Sequence, residues 1–194
     1  MKSNGGGRVM ELQEAIQKRR SVRKFTDSFV TDEELKKIFE AVRCSPSWAN
    51  TQAWEFVVVR DREVIQQVVA TYSEKNPATK CSLVASALIV VCGKTGVSGC
   101  YGGVEVTKHA NWYMFDLGIA TQTLCLTAHE MGLGTVVVGL MDHDACKKVI
   151  SLPQGYEVAA VIPIGRPAVE PKDGPPRRPV SEMVHLDMFG RKMF

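Results

Sequence analysis

The stretch SPSWANTQAWEFVVV, residues 45–59, joins a helix stop to a buried strand through a short polar turn. Pro46 cannot continue the helix before it, and the run 54–59 is apolar and β-branched, like a core strand. Asn50 and Gln52 come just before that strand, where a rigid element can hold their amides in place. Each amide offers a donor and an acceptor, which suits the edge of a heterocycle with alternating N–H and C=O groups. The alternative is that both amides only satisfy the backbone of the loop.

A cationic run lies upstream, in QKRRSVRKF, residues 17–25. Its five cations are Lys18, Arg19, Arg20, Arg23 and Lys24. The net charge of the chain is only +3, too small for a surface built throughout for nucleic acid, so the run is interpreted as a local site. Guanidinium forks and the hydroxyl of Ser21 suit the acceptor oxygens of a phosphate. A solvated helix end and a short nucleic-acid patch are alternatives on this stretch alone, but together with the amides the run indicates a nucleotide-like cofactor.

Helices and strands alternate irregularly along the chain, whose 194 residues and 45% hydrophobic content are typical of one globular domain. A capping box formed by Thr31 and Glu34 marks the start of one helix. The predicted helices cover residues 10–20, 31–45, 64–72, 107–131 and 142–150. The predicted strands cover residues 54–59, 87–92, 135–138 and 158–164.

Two further segments have unusual composition. Residues 93–103 contain five glycines, which predicts a mobile loop. The helix predicted over 107–131 is apolar on most of its circumference, so it should pack into the sheet, another subunit, or both.

The C-terminal segment is rich in proline, with five between residues 167 and 179. Such a segment is extended and builds no core of its own. It leads into an apolar end formed by Met183, Val184, Leu186, Met188 and Phe189. This end needs an apolar surface, either on a neighbouring subunit or on its own domain.

Several catalytic templates are absent. Residues 96–99, GVSG, do not form G-x-S-x-G, and residues 132–134, GLG, are half a dinucleotide fingerprint placed before a strand. The four histidines lack metal-ligand spacing, and the six cysteines contain no C-x-x-C pair. No apolar run is long enough to span a bilayer. We therefore expect a cytoplasmic protein that binds no metal, nucleic acid or membrane.

Five motifs, in order along the chain, carry a resemblance. They are RRSVRKF, SPSWANTQAWEFVVV, DLGIATQTL, GLGT followed by VVVG, and PIGRP. In type and order they resemble the nitroreductase family of FMN-dependent oxidoreductases, over roughly residues 11–185. The resemblance implies an α+β fold with a mostly antiparallel sheet flanked by helices. It also implies a homodimer with swapped terminal arms and FMN at the subunit interface.

The resemblance assigns the site residues motif by motif. Arg19, Arg20 and Ser21 would hold the FMN phosphate and ribityl chain, and Arg23 would approach the pyrimidine edge of the flavin. The other subunit would supply a second group of residues, namely Pro46, Ser47, Trp48 and Asn50, supported by Gln52. Gly139 would lie near the flavin ring, and Arg178 matches a late phosphate-binding arginine. Arg166, Arg177 and Lys80 are further candidates.

This sequence also departs from the family pattern. Ala53 stands where the family commonly has proline, and Trp48 replaces a smaller residue, which would narrow the substrate space over the flavin. The implied domain organisation is a disordered N-terminus at 1–9, an FMN-binding domain at 10–166, and an extended arm at 167–194 that packs on the partner subunit.

The implied activity is transfer of a hydride from NADH or NADPH, through flavin N5, to a small nitroaromatic or quinone-like acceptor in ping-pong fashion. The flavin carries the chemistry, so no catalytic acid, base or nucleophile is expected, and Arg23 gives electrostatic support. One alternative is another flavin reaction on the same fold, such as flavin reduction, reductive dehalogenation or flavin breakdown. Others are a flavin-binding protein without turnover and a nucleic-acid-binding protein.

Overall fold

The computed structural model describes residues 10–109 and 111–194. The segment 1–9, predicted to be disordered, lies outside these residues. The helices are α1 (Leu12–Lys18), α2 (Asp32–Val42), α3 (Arg62–Ala70), α4 (Thr79–Val84), α5 (Tyr113–Glu130), α6 (His143–Val149) and α7 (Val180–Met183). The strands are β1 (Trp54–Val59), β2 (Ala87–Lys94), β3 (Cys100–Tyr101), β4 (Val104–Glu105), β5 (Gly134–Thr135) and β6 (Tyr156–Gly165).

The main sheet has four strands in the order β1-β2-β6-β5, and neighbouring strands are antiparallel. Strand β2 lies near the centre, where Ile89 pairs with Val58 on one side and with Ile162 on the other. Its apolar, β-branched residues are buried on both faces, as the continuous run in the sequence predicted.

Helices cover both faces of this sheet. Alternate residues of β2 enter different cores: Leu88 and Val90 pack with α3, α4 and α6, whereas Ile89 and Val91 pack with α2 and α5. This alternation follows from the two-residue period of a strand. The predicted α+β class, a mostly antiparallel sheet flanked by helices, is confirmed.

The capping box predicted at the start of α2 is present. Glu34 N donates to Thr31 Oγ1 at 3.2 Å, and Thr31 N donates to Glu34 Oε2 at 2.9 Å. The hydrogen bond from the Thr31 backbone lowers the pKa of Glu34 most, and Arg166 lowers it to a smaller extent, because both favour the carboxylate. The helix is thus fixed at its first turn, as the sequence pattern indicated.

Helix α5 is shorter than the predicted helix 107–131 and does not bury its whole circumference. Ala120 and Leu124 are fully buried against the sheet, but Phe115 is 64% exposed. Phe115 lines an apolar groove on the outer side of α5, together with Met114, Gly118, Ile119, Gln122, Thr123 and Leu126. The sheet therefore accounts for only part of the helix's apolar character.

The glycine-rich segment 93–103, predicted to be a loop, is partly ordered into strands. Strand β2 continues to Lys94, and β3 and β4 form a hairpin. Gly102 and Gly103 make its turn with φ of +55° and +79°, values that favour glycine. The sequence pattern missed this hairpin because both strands are only two residues long.

The C-terminal segment begins by pairing with the cationic run of its own chain. Thr26 N donates to Arg166 O and Ala168 N donates to Lys24 O, both at 2.9 Å. Further on, the chain forms α7 and a bridge between His185 and Lys192. The first part of the segment 167–194 is therefore anchored beside residues 24–26.

Candidate functional site

A cleft of about 780 Å³ lies between the cationic run and the C-terminal segment. Its walls are formed by residues 19–24 on one side and by residues 169–175 with Arg177 on the other. On one side, the run is extended along β5, where Val22 N donates to Thr135 O at 2.9 Å. Val22 and Phe25 point into the core, so Arg23 and Lys24 between them are left exposed at the cleft. The cations are thus presented by a fixed backbone.

The charge of this cleft is strongly positive. Six cationic side chains line it, namely Arg19, Arg20, Arg23, Lys24, Lys172 and Arg177. Only two anionic side chains, Glu170 and Asp173, line it as well. Such an excess of cations suits an anionic ligand with several acceptor oxygens.

One hydrogen-bond donor of Arg20 is not used within the described residues. Its NH1 donates to Gln17 O at 2.5 Å and to Arg19 O at 2.9 Å, so the guanidinium is held in place. Its buried Nε has no partner among the described residues. Because a buried N–H without an acceptor is costly, an acceptor supplied by a ligand would be stabilising here. The cleft therefore fits a phosphate group.

His129 lies close to the same arginines, near the end of α5. Burial lowers the pKa of His129 most, and the positive charges of Arg19 and Arg20 lower it further. Glu14 raises it by less than either arginine lowers it, and Lys18 adds the smallest lowering effect. Its buried Nε2 has no partner in the described part of the chain. The sequence offered no sign of this proximity, because position 129 is distant from the cationic run along the chain.

The turn after α2 has a second, different construction. Residues Trp48–Asn50 form one turn of 3-10 helix, and Ala49, Asn50 and Gln52 adopt φ of +46°, +56° and +48°. Left-handed backbone at residues other than glycine is unfavourable and persists only where the surroundings impose it. Gln52 N donates to Ser47 Oγ at 3.0 Å, which closes the turn.

The amides of Asn50 and Gln52 are exposed. Within residues 10–109 and 111–194, neither side chain makes a hydrogen bond, so they do not satisfy the loop backbone. The alternative considered for these amides is thus not what the structure contains. Both remain free to bind a ligand.

Asp116 fixes the turn to the rest of the protein. This carboxylate is 1% exposed and lies in the first turn of α5. Its Oδ1 accepts from Trp48 N at 3.1 Å, and its Oδ2 accepts from Ser98 Oγ at 2.5 Å. In the sequence, Asp116 is the first residue of the motif DLGIATQTL. A charged residue inside an otherwise apolar helix was the signal that could have identified it.

The predicted site residues fall into separate groups. Arg19, Arg20, Ser21 and Arg23 line the cleft. The residues Pro46, Ser47, Trp48, Asn50, Gln52, Gly139 and Arg178 are not among those that line it. Arg177 lines it instead of its neighbour Arg178.

Two further candidates lie outside the cleft. Arg166 pairs with Glu34 at 2.7 Å, and Lys80 is exposed on α4. Neither side chain is among the residues that line the cleft.

Known proteins match this chain over most of its length. The sequence profile of the Nitroreductase family matches residues 16–166. The chain belongs to this family. The family predicted from the five motifs is therefore confirmed, and with it the prediction that the protein is an enzyme, an oxidoreductase of the nitroreductase type.

Individual members of the nitroreductase family agree in sequence and in fold. A protein of Methanothermobacter thermautotrophicus, named putative NADH dehydrogenase/NAD(P)H nitroreductase, is 34% identical over 84% of this chain and 80% of its own. A nitroreductase family protein from Clostridium novyi superposes with a TM-score of 0.75 at 25% identity, covering 95% of this chain and 97% of that one. An FMN-dependent nitroreductase from Clostridium difficile gives 0.74 at 26% identity, over 90% and 98%.

Other kinds of site are not apparent in the described residues of this family member. No cluster of His, Cys, Asp or Glu suited to a metal ion occurs within residues 10–109 and 111–194. None of the described helices combines the length and apolar character needed to cross a bilayer. Burial raises the pKa of Cys92 to about 12 and that of Cys146 to about 11, so neither thiol is ionised at neutral pH.

Proposed function

We propose that this protein is an FMN-dependent oxidoreductase that takes a hydride from NADH or NADPH and passes electrons to a small acceptor such as a nitroaromatic compound or a quinone. The observation that supports this most is the cationic cleft, in which the buried Nε of Arg20 lacks a partner among the described residues. Family membership supports the reaction class. When bound, FMN would supply the hydride chemistry, and the side chains need only bind, orient and stabilise charge.

In this proposal the cleft holds the phosphate end of the cofactor. Arg19 and Arg20 bind phosphate oxygens, and Ser21 binds the ribityl chain. Arg23, exposed at the same cleft, lies towards the pyrimidine edge and stabilises negative charge there. Of the neighbouring residues Arg177 and Arg178, Arg177 is the better candidate for a phosphate contact, because it lines the cleft.

The turn at residues 46–52 binds the ring of the cofactor. The unpaired amides of Asn50 and Gln52 match a heterocycle edge, and Trp48 limits the space above it. The turn does not line the cleft of its own chain, which supports a site in which it meets the cofactor held by a second chain. Each site of the proposed homodimer is thus built from both subunits.

Exposed apolar surface supports this dimer. Leu12 and Ile16 of α1 are largely exposed, as is the groove beside Phe115 on α5. In the arm 167–194, Phe189 is 95% exposed. Apolar patches of this kind mark protein interfaces. We assign the groove and the arm to contacts with the partner subunit, which also gives the arm the apolar surface that its composition requires.

The spectrum and cofactor content of the purified protein test this function. FMN, rather than FAD, should be released by acid and identified by chromatography, because the phosphate group is held by a short cationic cluster and the chain has no dinucleotide fingerprint. The protein should oxidise NADH or NADPH steadily when a nitroarene or a quinone is supplied.

A colourless protein that takes up no FMN would refute the proposal. FAD as the main species would refute the assignment of the cleft. A yellow protein without turnover on a panel of acceptors that includes free flavin would indicate a binding protein.

A further inference from the structure

We infer that Asp116 is a positioning residue, whose buried carboxylate sets the conformation of the turn at residues 46–52 and thereby the geometry of the flavin ring's binding site. The effect on the flavin rests on the proposed function, whereas the effect on the turn does not. The inference is drawn from two hydrogen bonds, the burial of the carboxylate, and the backbone that it holds.

The carboxylate of Asp116 is compensated by hydrogen-bond donors and not by an ion pair within the described residues. No cationic side chain of the described residues pairs with Asp116, which is 1% exposed. A buried charge is tolerated when hydrogen bonds replace its hydration. Trp48 N and Ser98 Oγ provide these bonds, and the first turn of α5 adds the favourable end of the helix dipole. Charge-assisted bonds of this kind are stronger than neutral ones.

The bond to Trp48 N lies where the turn needs support. Trp48 immediately precedes Ala49 and Asn50, which both have positive φ. Of the contacts that restrain the turn, the Ser47 Oγ bond to Gln52 N is internal to it, whereas the Asp116 bond ties it to a core helix. Ser45, the residue just before the turn, also donates to Thr123 Oγ1 of α5 at 2.9 Å. Without Asp116, the turn would stay tied to α5 at its start but would lose this connection at Trp48, beside the residues with positive φ.

The second carboxylate oxygen of Asp116 also restrains the neighbouring β3–β4 hairpin. Ser98, buried and bonded to Asp116 Oδ2, lies just before β3. In β3, the ring of Tyr101 packs on the indole of Trp48 with centroids 4.7 Å apart. Asp116 therefore fixes the backbone of Trp48 directly. It also fixes the indole ring of Trp48 indirectly, through Ser98 and the hairpin that carries Tyr101.

Substitutions at this position separate geometry from charge. Asp116→Asn is the conservative variant, because its amide oxygen still accepts from Trp48 N and its NH2 group can donate to Ser98 Oγ. Asp116→Ala removes both bonds, and Ser98→Ala removes one. Ser82→Ala is the matched control, since Ser82 is an equally buried hydroxyl on α4, bonded to Ala78 O at 2.8 Å on the other face of the sheet.

The first measurement uses the flavin-free full chain. Hydrogen exchange of the Trp48 amide should be on the order of tenfold faster in Asp116→Ala than in the wild type, near the wild-type rate in Asp116→Asn, and unchanged in Ser82→Ala. Ser98→Ala should give an intermediate rate, which keeps the test available if Asp116→Ala does not fold. Exchange in Asp116→Ala or Ser98→Ala equal to that of the wild type would overturn the inference, and so would failure of Asp116→Asn to restore it, since charge rather than geometry would then be responsible.

The second measurement uses FMN and inorganic phosphate as separate probes. Asp116→Ala should weaken FMN binding on the order of tenfold and lower kcat/KM, while inorganic phosphate binds as in the wild type, because the cleft is a separate structure. Asp116→Asn should restore both values. Equal FMN affinity in Asp116→Ala and the wild type would overturn the role at the flavin. If the wild type itself takes up no FMN, the proposed function fails, and the exchange of the Trp48 amide still decides the role of Asp116 in the turn.

Discussion

Gly174 packs against Arg20 so closely that a Cβ atom at position 174 would lie 2.9 Å from Arg20 Nε. The nitrogen in this contact is the one that has no hydrogen-bond partner in the described residues. The C-terminal segment and the cationic run are therefore fitted to each other at the point where an anion would bind. Any side chain at position 174 would have to displace the arginine.

The first prediction follows from this contact. Gly174→Ala should weaken FMN binding on the order of tenfold, because the added Cβ forces the Arg20 side chain out of the position in which its NH1 bonds hold it, and away from the phosphate, while the backbone stays in place. Thermal unfolding of the flavin-free protein should change little. The measurement is a fluorescence titration with FMN.

A double-mutant cycle provides the control. In an Arg20→Ala background, Gly174→Ala should have no further effect on FMN affinity, since the side chain that it displaces is gone. Additive losses would show that Gly174 acts independently of Arg20 and that the assigned contact does not matter.

The second prediction concerns the arginines themselves. Arg19→Ala should cost about 1.5–3 kcal/mol of FMN binding free energy, the usual value of a charge-assisted bond, or roughly ten- to hundredfold in dissociation constant. Lys24→Ala, a nearby change that also removes one positive charge, is not a suitable control for Arg19→Ala, because Lys24 lines the same cleft. Lys37→Ala on the exposed side of α2 is better, as it removes the same charge elsewhere. Equal dissociation constants for the two variants would contradict the assignment.

The third prediction is a pH dependence. The pKa of His129 is lowered by burial and then by Arg19, Arg20 and Lys18, with Glu14 opposing. A bound phosphate would reduce the repulsion from the arginines and raise this pKa, so binding takes up a proton. FMN affinity of the wild type relative to His129→Gln should therefore rise as pH falls through the His129 pKa of the FMN-bound protein. The gain should be complete only below the His129 pKa of the flavin-free protein, which is lowered from the ordinary value of about 6.5.

Calorimetry in two buffers of different ionisation enthalpy measures this proton uptake near the ordinary histidine pKa. The second ionisation of the FMN phosphate contributes equally in both proteins, so the difference between them isolates His129. Equal proton uptake by wild type and His129→Gln would rule out the linkage.

Local signals in the sequence were sufficient for most of the fold. The capping box at Thr31 fixed the start of α2, and the β-branched run at 87–92 predicted the central strand, because short-range chemistry determines both. Helix α5 was predicted too long. The described residues just before Tyr113 occupy turns after the hairpin, and the helical pattern alone did not reveal this competing structure.

The site was less accessible to such reasoning. Arg19, Arg20 and Ser21 are adjacent in the chain, so their shared role could be predicted from one stretch. The contacts of Asp116 with Trp48 and of Gly174 with Arg20 join residues far apart in sequence. Long-range contacts of this kind depend on the packing of the whole domain, and no single motif encodes them.

The last prediction is that each active site needs two chains. Arg19 lines the cleft and Asn50 does not, although both are assigned to one cofactor. Chains carrying Arg19→Ala and chains carrying Asn50→Ala should each bind FMN poorly alone. In a mixed dimer, one site contains both intact halves and the other carries both lesions, so flavin occupancy should recover to about half of the wild-type value.

Differently tagged chains purified in tandem would provide the mixed dimer, and the released FMN would measure occupancy. A verified mixed dimer without recovery, or a monomer in sedimentation that keeps full activity, would mean that Arg19 and Asn50 serve a cofactor within one chain and that the exposed groove beside Phe115 has another purpose.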